Sequence, residues 1–380
     1  MSCARTYLDW NASAPLLPEA RTAMLAAMEI VGNPSSVHGE GRAARRIIED
    51  AREQVARLVG ARPPEVIFTS GATEANNLVI RSGWATVFAA EIEHDSVLAP
   101  LAVSGARRPE IPVGADGVVR AGGLVDLFPA VAAGKIPALV SLQHANNETG
   151  AVQPVAEVAA LARARGVLVH TDATQAVGRM PVDVVVLGAD YLSLSSHKLG
   201  GPKGAGALIV RNGAPLVPLI VGGGQERRQR AGTENLAAIA GLGAAARVAI
   251  AGLGDYARVA RLRDQLEAHV LRATPHAVII AADAPRLANT SCIALPGRAA
   301  ETLVAALDLA GIAVSAGAAC SSGKVAESHV LTAMGLAPEI TRSAIRVSVG
   351  PTTTDNDIAA FLAAWKHITG SVAGAQARAA

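Results

Sequence analysis

The stretch ADYLSLSSHKLGGPKGAGALIVR, residues 189–211, sets two apolar runs on either side of a polar, glycine-rich turn. Both runs have strand length, and Gly and Pro punctuate the turn between them. The turn holds His197, Lys198 and Lys203 in a chain that has only five lysines, the others being Lys135, Lys324 and Lys366. A lysine at the end of a buried strand, flanked by Ser and His, is a candidate for chemistry. Desolvation lowers an ammonium pKa and turns the amine into a Schiff-base former. Taken alone, the same lysine also fits a side chain snorkelling from a strand end. GPKGAGAL (201–208) has the glycine content of a phosphate loop. It lacks the Gly-Lys-Ser/Thr order, and a strand rather than a helix follows it.

The strand-then-polar format recurs outward from this stretch. EVIFTS (65–70) runs into SGATEANN, PALVSLQ (137–143) into HANNETG, and VLVHTDA (167–173) into TQAVG. Helical periodicity lies between them. RAARRIIEDAREQVARLV (42–59) puts Ile47, Ala51, Val55 and Leu58 on one face, with Gly60 beyond its end, and VAEVAALARARG (155–166) stops at Gly166. Such alternation predicts an α/β fold with a mostly parallel mixed sheet flanked by helices. Residues 233–273 read as nearly continuous helix. Beyond it come short strands, NTSCIAL (289–295) and AIRVSVG (344–350), with helices over 300–310 and 355–368. The expected division is a large domain of residues 15–255 and a smaller α+β domain of residues 1–14 and 256–380.

Bulk properties exclude several classes. Of 380 residues, 51% are hydrophobic and 17% charged, with a net charge of +2. That balance predicts neither nucleic-acid nor membrane binding. No apolar run is read as long enough to span a bilayer, which needs about 20 residues. The three cysteines, Cys3, Cys292 and Cys320, show no metal-type spacing. A low, odd count fits a reducing compartment, and MSCARTYLDW lacks the apolar core of a signal peptide, so a cytoplasmic location is expected.

In open parallel sheets, ligands sit at the carboxyl ends of strands. Five polar clusters follow strand patterns here: Thr69–Glu74, His94, His144–Glu148, Asp172 with Gln175, and Ser195–Lys198. SGATEANN opens a helix and can seat a phosphate on free N–H groups, or can simply cap that helix. Asp172 can pair with a protonated pyridine nitrogen or cap the next helix. His94 can stack on a ring or be a satisfied core histidine. Together, a phosphate seat, an amine, a carboxylate and a flat ring are the fittings for pyridoxal 5'-phosphate.

The segments YLDWNASAP (7–15), GNPSSVHGEGRAAR (32–45), FTSGATEANN (68–77), HTDATQAVG (170–178), SSHKLGGPKGAGAL (195–208), GGGQERRQRAGTEN (222–235) and SAGAACSSG (315–323) occur in the order seen in a known family. The chain resembles the cysteine desulfurases of the NifS/IscS type, in the class V branch of pyridoxal-phosphate enzymes of fold type I. The resemblance implies that Lys198 holds the cofactor covalently, His94 stacks on its ring, Asp172 meets its ring nitrogen and Gln175 its phenolic oxygen. It implies that Ala72, Thr73, Ser195 and His197 hold the phosphate. Thr233 would reach the phosphate of a neighbouring subunit, hence a homodimer. Asn147 and Arg346 would hold the carboxylate of L-cysteine, and Cys320 would take up its sulfur as a persulfide. The expected acceptor is an iron–sulfur scaffold protein, with an iron–sulfur contact at Cys320 through that persulfide.

Three positions depart from the family pattern: Trp10 where Asn is usual, Ala14 where Thr is frequent, and Ser321 where Thr is common. The segment between Cys320 and ESHVLTAMG is not shortened, which places the chain with the long-loop members. The same fold would also suit a class V aminotransferase, a selenocysteine lyase, or a non-catalytic sulfur-accepting scaffold.

Overall fold

The computed structural model describes residues 5–127, 138–211, 213–317 and 327–376. Its strands are β1 (Thr6–Tyr7), β2 (Val66–Thr69), β3 (Thr86–Ala89), β4 (Ala138–Ser141), β5 (Leu168–Asp172), β6 (Tyr191–Ser195), β7 (Gly206–Val210), β8 (Val278–Ile280), β9 (Thr290–Ala294), β10 (Ile312–Ala313), β11 (Ser315–Ala316) and β12 (Ala344–Ser348). The first eight helices are α1 (Pro18–Met28), α2 (Gly39–Leu58), α3 (Ala72–Ile80), α4 (Asp95–Ala102), α5 (Ala121–Leu127), α6 (Val155–Arg163), α7 (Val184–Leu187) and α8 (Leu236–Gly252). They are followed by α9 (Tyr256–Ala273), α10 (Ala300–Leu309), α11 (His329–Ala333), α12 (Pro338–Thr341) and α13 (Asp355–Gln376).

The large sheet has the order β2-β7-β6-β5-β4-β3. Strands β3 to β6 pair in parallel, and β7 runs antiparallel to both neighbours. Its strands are buried on both faces, which is why they read as apolar runs rather than as alternations. The pleat sends alternate side chains to two cores. Val66, Phe88, Val140, Leu192 and Ile209 join α2, α6 and α8 on one side. Ile67, Val87, Leu139, Tyr191 and Leu208 join α3 and α4 on the other.

Two sequence expectations shift at this level. Ile48, not Ile47, faces the core of α2, because the helix is rotated to bring Ala51 against Gly243. A Cβ at Gly243 would stand 2.7 Å from Ala51, so the glycine permits the close approach. In addition, the run Leu236–Ala273 does contain a window long and apolar enough to cross a membrane by composition alone. In the fold, α8 is a small-residue helix packed against α1 and α2, and the chain turns at Leu253–Asp255 before α9.

A second, antiparallel sheet has the order β11-β12-β9-β8. Leu262, Leu266 and Val270 of α9, Leu303 and Leu307 of α10, and Phe361 and Trp365 of α13 share one apolar cluster with Ile293, Ile345 and Val347 of that sheet. The rings of Phe361 and Trp365 stack with centroids 5.9 Å apart. Leu8 belongs to this cluster, since β1 pairs in parallel with β10. The N-terminal segment then continues from β1 across to the turn that holds Lys198, where Ala14 N donates to His197 O at 2.9 Å.

Candidate active site

The carboxyl ends of β2, β5 and β6 open onto a cavity of about 580 Å³. Lys198 enters it from the single turn Ser196–Lys198 that follows β6. Its ammonium donates to the carbonyls of Asn11 at 2.5 Å and Ala12 at 2.9 Å. Asp172 ends β5; Oδ2 accepts from Asn76 at 2.7 Å and Oδ1 from the Thr174 N–H at 3.0 Å. Gln175 reaches Asn11 O at 3.1 Å with Nε2 and accepts from Arg179 with Oε1.

His94 caps α4. Its Nδ1 accepts from Ser96 N at 3.0 Å. Burial holds its pKa below the usual histidine range, and the Lys198 ammonium adds to that against the opposing pull of Asp172. His197 is pushed down to about 4 by burial and by Lys198, Lys203 and Arg179, and sits 3.3 Å from Ser13 Oγ. Both imidazoles are therefore neutral at pH 7.

At the other end, Ser70, Gly71, Ala72 and Thr73 line the wall where α3 begins. The loop can lie there because Gly206, the first residue of β7, lacks a side chain: a Cβ would stand 2.6 Å from Gly71 Cα. Free N–H groups at a helix start, the Ser195 hydroxyl and the Lys203 ammonium make this the anion-favouring end of the cavity.

Arg346 lies in the middle of β12. Nη2 meets Asp9 at 2.8 Å and Nη1 donates to Asn147 O at 3.0 Å. Its Nε is buried and unpartnered, as is Thr174 Oγ1 on the same cavity wall. Asn147 lines the cavity as well. A donor set of this kind fits pyridoxal phosphate carrying an amino acid. The cavity wall carries an amine, a carboxylate, an anion seat at the start of α3 and a guanidinium.

Members of all five polar clusters therefore meet at one cavity, though not whole clusters. His144 and Glu148 lie behind the wall; burial pushes His144 down to about 4 and raises Glu148 to about 7. Thr233 does not line this cavity. It is exposed between the turn Gln225–Arg228 and α8. Cys320, with Ser321 and Lys324, lies outside the described residues. Among the described residues, no group of three or more His, Cys, Asp or Glu is arranged to hold a metal ion. Cys292 is fully buried in β9, and burial raises its thiol pKa, as befits a packing residue.

Sequence reasoning passed over Asn11 as a functional residue. Its carbonyl takes Lys198 and Gln175, its Oδ1 takes Arg179 at 2.8 Å and Asn289 at 2.9 Å, and its Nδ2 reaches Thr290 Oγ1 at 2.9 Å. All these partners are remote in sequence, so no local signal marks it.

The class-V aminotransferase family pattern matches residues 6–361. The chain belongs to this family, among its cysteine desulfurases of the NifS/IscS type. It is 45% identical to a cysteine desulfurase from Cereibacter sphaeroides, covering 93% of each chain. It is 40% identical to an IscS-like cysteine desulfurase from Mycobacterium tuberculosis, covering 97% of each. A solved NifS-like protein from Rickettsia africae superposes with a TM-score of 0.89 at 34% identity, covering 96% of this chain and 99% of that one.

Proposed function

We propose that this chain is a pyridoxal-phosphate-dependent cysteine desulfurase that supplies sulfur for iron–sulfur cluster assembly. In the overall reaction, L-cysteine and the Cys320 thiol give L-alanine and a persulfide on Cys320. The observation that carries this reading is the convergence of Lys198, Asp172, His94 and the start of α3 on one cavity, in a chain of the desulfurase family.

Pyridoxal phosphate, when bound, supplies an aldehyde that captures amines and a ring that accepts electrons. Lys198 would hold it covalently, with Asp172 at the ring nitrogen, His94 on the ring face and Gln175 at the phenolic oxygen. Ala72, Thr73, Ser195 and His197 would hold the phosphate. Arg346 and Asn147 bind the substrate carboxylate, which fixes the amino acid with its Cα near Lys198. The Lys198 amine would take the Cα proton, and the carbonyls of Asn11 and Ala12 lie within reach to orient it. Neutral His94 is suited to hand a proton to or from the substrate. Cys320 attacks the substrate sulfur as thiolate.

We further infer a homodimer. Leu25 and Met28 on α1, Val31 and Val37 in the loop after it, and Val217 and Val221 near Thr233 are all exposed apolar side chains. A second copy would cover them, and the family resemblance implies that Thr233 then reaches the partner's phosphate. The sulfur acceptor is a scaffold protein, any iron–sulfur contact at Cys320 arises from the persulfide it hands over, and the enzyme works in the cytoplasm.

Alanine formation from L-cysteine, and sulfide release when a thiol reductant is added to reduce the persulfide, compared between the wild type and Cys320→Ala, test the reaction. The variant should keep its cofactor and lose sulfide release. Continued turnover by Cys320→Ala would favour an aminotransferase instead. Borohydride reduction followed by peptide mapping should find a phosphopyridoxyl group on Lys198, and its absence there would sink the proposal.

A further inference from the structure

Asn76 is completely buried on α3, one turn beyond the phosphate seat. Its Nδ2 lies 2.7 Å from Asp172 Oδ2 and 2.8 Å from Ser96 Oγ. Ser96 Oγ in turn lies 2.8 Å from His94 Nδ1. The direction of each hydrogen bond follows from the chemistry of the groups. A carboxylate only accepts, so the amide nitrogen faces it. The amide has a second hydrogen, which Ser96 Oγ accepts. The hydroxyl then has its own hydrogen for His94 Nδ1. The Ser96 backbone N–H also donates to Nδ1, at 3.0 Å. That nitrogen receives two donors and carries no proton, so the imidazole proton sits on Nε2.

We propose that Asn76 and Ser96 are positioning residues that join Asp172 and His94 into one hydrogen-bonded unit. The unit holds the carboxylate in place and keeps His94 as the neutral Nε2–H tautomer. What the two ends do rests on the desulfurase reading; the connection between them does not. The end groups stand on separate elements, β5 and the start of α4. The amide serves only as a donor here, because Asn76 Oδ1 is buried without a partner. An apolar side chain of the same shape would avoid that unpartnered oxygen, so the two N–H bonds are what an amide adds at this position.

The unit also restrains titration. Protonating Nδ1 means giving up both hydrogen bonds it accepts, and bonding to a neutral form disfavours the charged one. The titratable groups that face His94 are Asp172 and Asp95, which favour its cation, and Lys198 and His329, which oppose it; burial opposes it most. The Ser96 hydroxyl adds to the opposing side, and Asn76 polarises that hydroxyl as a donor.

The test uses the full-length chain with ¹⁵N-labelled histidine, with cofactor bound and after its removal. The His94 signal is identified by its loss in His94→Asn. Long-range proton–nitrogen spectra should show a neutral Nε2–H tautomer at neutral pH. Ser96→Ala should raise the His94 titration midpoint by about half a unit to one unit, the worth of one hydrogen bond. Ser96→Thr, which keeps the hydroxyl, should restore it. Asn76→Leu should raise the midpoint by less and should bind pyridoxal phosphate about tenfold more weakly in an apoprotein titration, a loss matching one charge-assisted hydrogen bond. The shifts from Ser96→Ala and Asn76→Leu should not add in the double variant. An Nδ1–H tautomer in the wild type, or an unmoved midpoint in Ser96→Ala, overturns the proposal. If Asn76→Leu fails to fold, the Ser96 pair decides alone. Absence of alanine formation would count against the desulfurase reading and leave these spectra to stand or fall separately.

Discussion

The guanidinium of Arg52 lies bidentate on the carboxylate of Glu226, both contacts 2.8 Å long and both side chains buried. Glu226 also accepts from Phe68 N at 2.9 Å, and Arg52 stacks over the Phe68 ring. This pair anchors a strained turn. Glu226, Arg227 and Arg228 have φ values of 43°, 55° and 66°, in the left-handed region that disfavours non-glycine residues. Removing the Glu226 charge leaves the buried Arg52 with only the part-exposed Glu49 carboxylate and the Val66 carbonyl as partners. Glu226→Gln should therefore cost about 3–5 kcal/mol in urea unfolding. Arg52→Met combined with Glu226→Leu should cost clearly less than either single change.

Trp10, a departure from the family pattern, packs directly on Gly350. A Cβ at Gly350 would fall 2.1–2.3 Å from the indole ring. Gly350→Ala should lose about 1–3 kcal/mol through overpacking. Trp10→Asn, which removes the ring, should make Gly350→Ala nearly neutral. Thermal melts of the two single variants and the double variant measure that coupling.

Arg346 is expected to act through its fork of donors, not only through its charge. Arg346→Lys keeps the cation but cannot span Asp9, Asn147 O and a substrate carboxylate together. The KM for L-cysteine should rise about tenfold or more, the scale of a lost charge-assisted hydrogen bond, while kcat falls less. Steady-state kinetics separates the two.

Stability should fall in acid, and Glu148 should soften the fall. His144, His170 and His197 have folded-state pKa values of about 4, lowered from 6.5 chiefly by burial. The unfolded chain binds their protons first, so stability drops as pH falls from about 6.5 toward 4. Glu148 works the other way. Burial raises it to about 7, so the native state binds its proton first and gains stability as pH falls from 7 toward 4.5. Glu148→Gln removes that compensation while keeping a partner for the Ser328 hydroxyl. Between pH 7 and pH 5, its melting temperature should fall more steeply than that of the wild type.

The strands of the large sheet were legible because burial on both faces makes them continuous apolar runs with polar residues at their ends. Thr86–Ala89 escaped because it is only four residues long and Ala90 and Ile92 blur its end, with no Gly or Pro before the polar His94. On α2, Ala51, Val55 and Leu58 face the core as read, and only Ile47 is replaced by Ile48, because both are apolar and the approach of α8 decides between them. Lys198, Asp172 and His94 could be picked out from strand-end position. Asn11 and Asn76 could not. One is defined by partners across the whole chain, the other by facing inward from a helix whose sequence shows merely two asparagines in a row.

The contacts of Asn11 bear on the protein's biogenesis. Its bonds to Asn289, Thr290 and Ser348 span 278, 279 and 337 positions. During synthesis, strands β2 to β7 emerge early and can pair among themselves. The segment that cradles Lys198 must wait until nearly the whole chain has been made. A nascent chain ending after α8 would have a sheet and an amine but no closed site around it. Capture of the cofactor should therefore be among the last events of maturation.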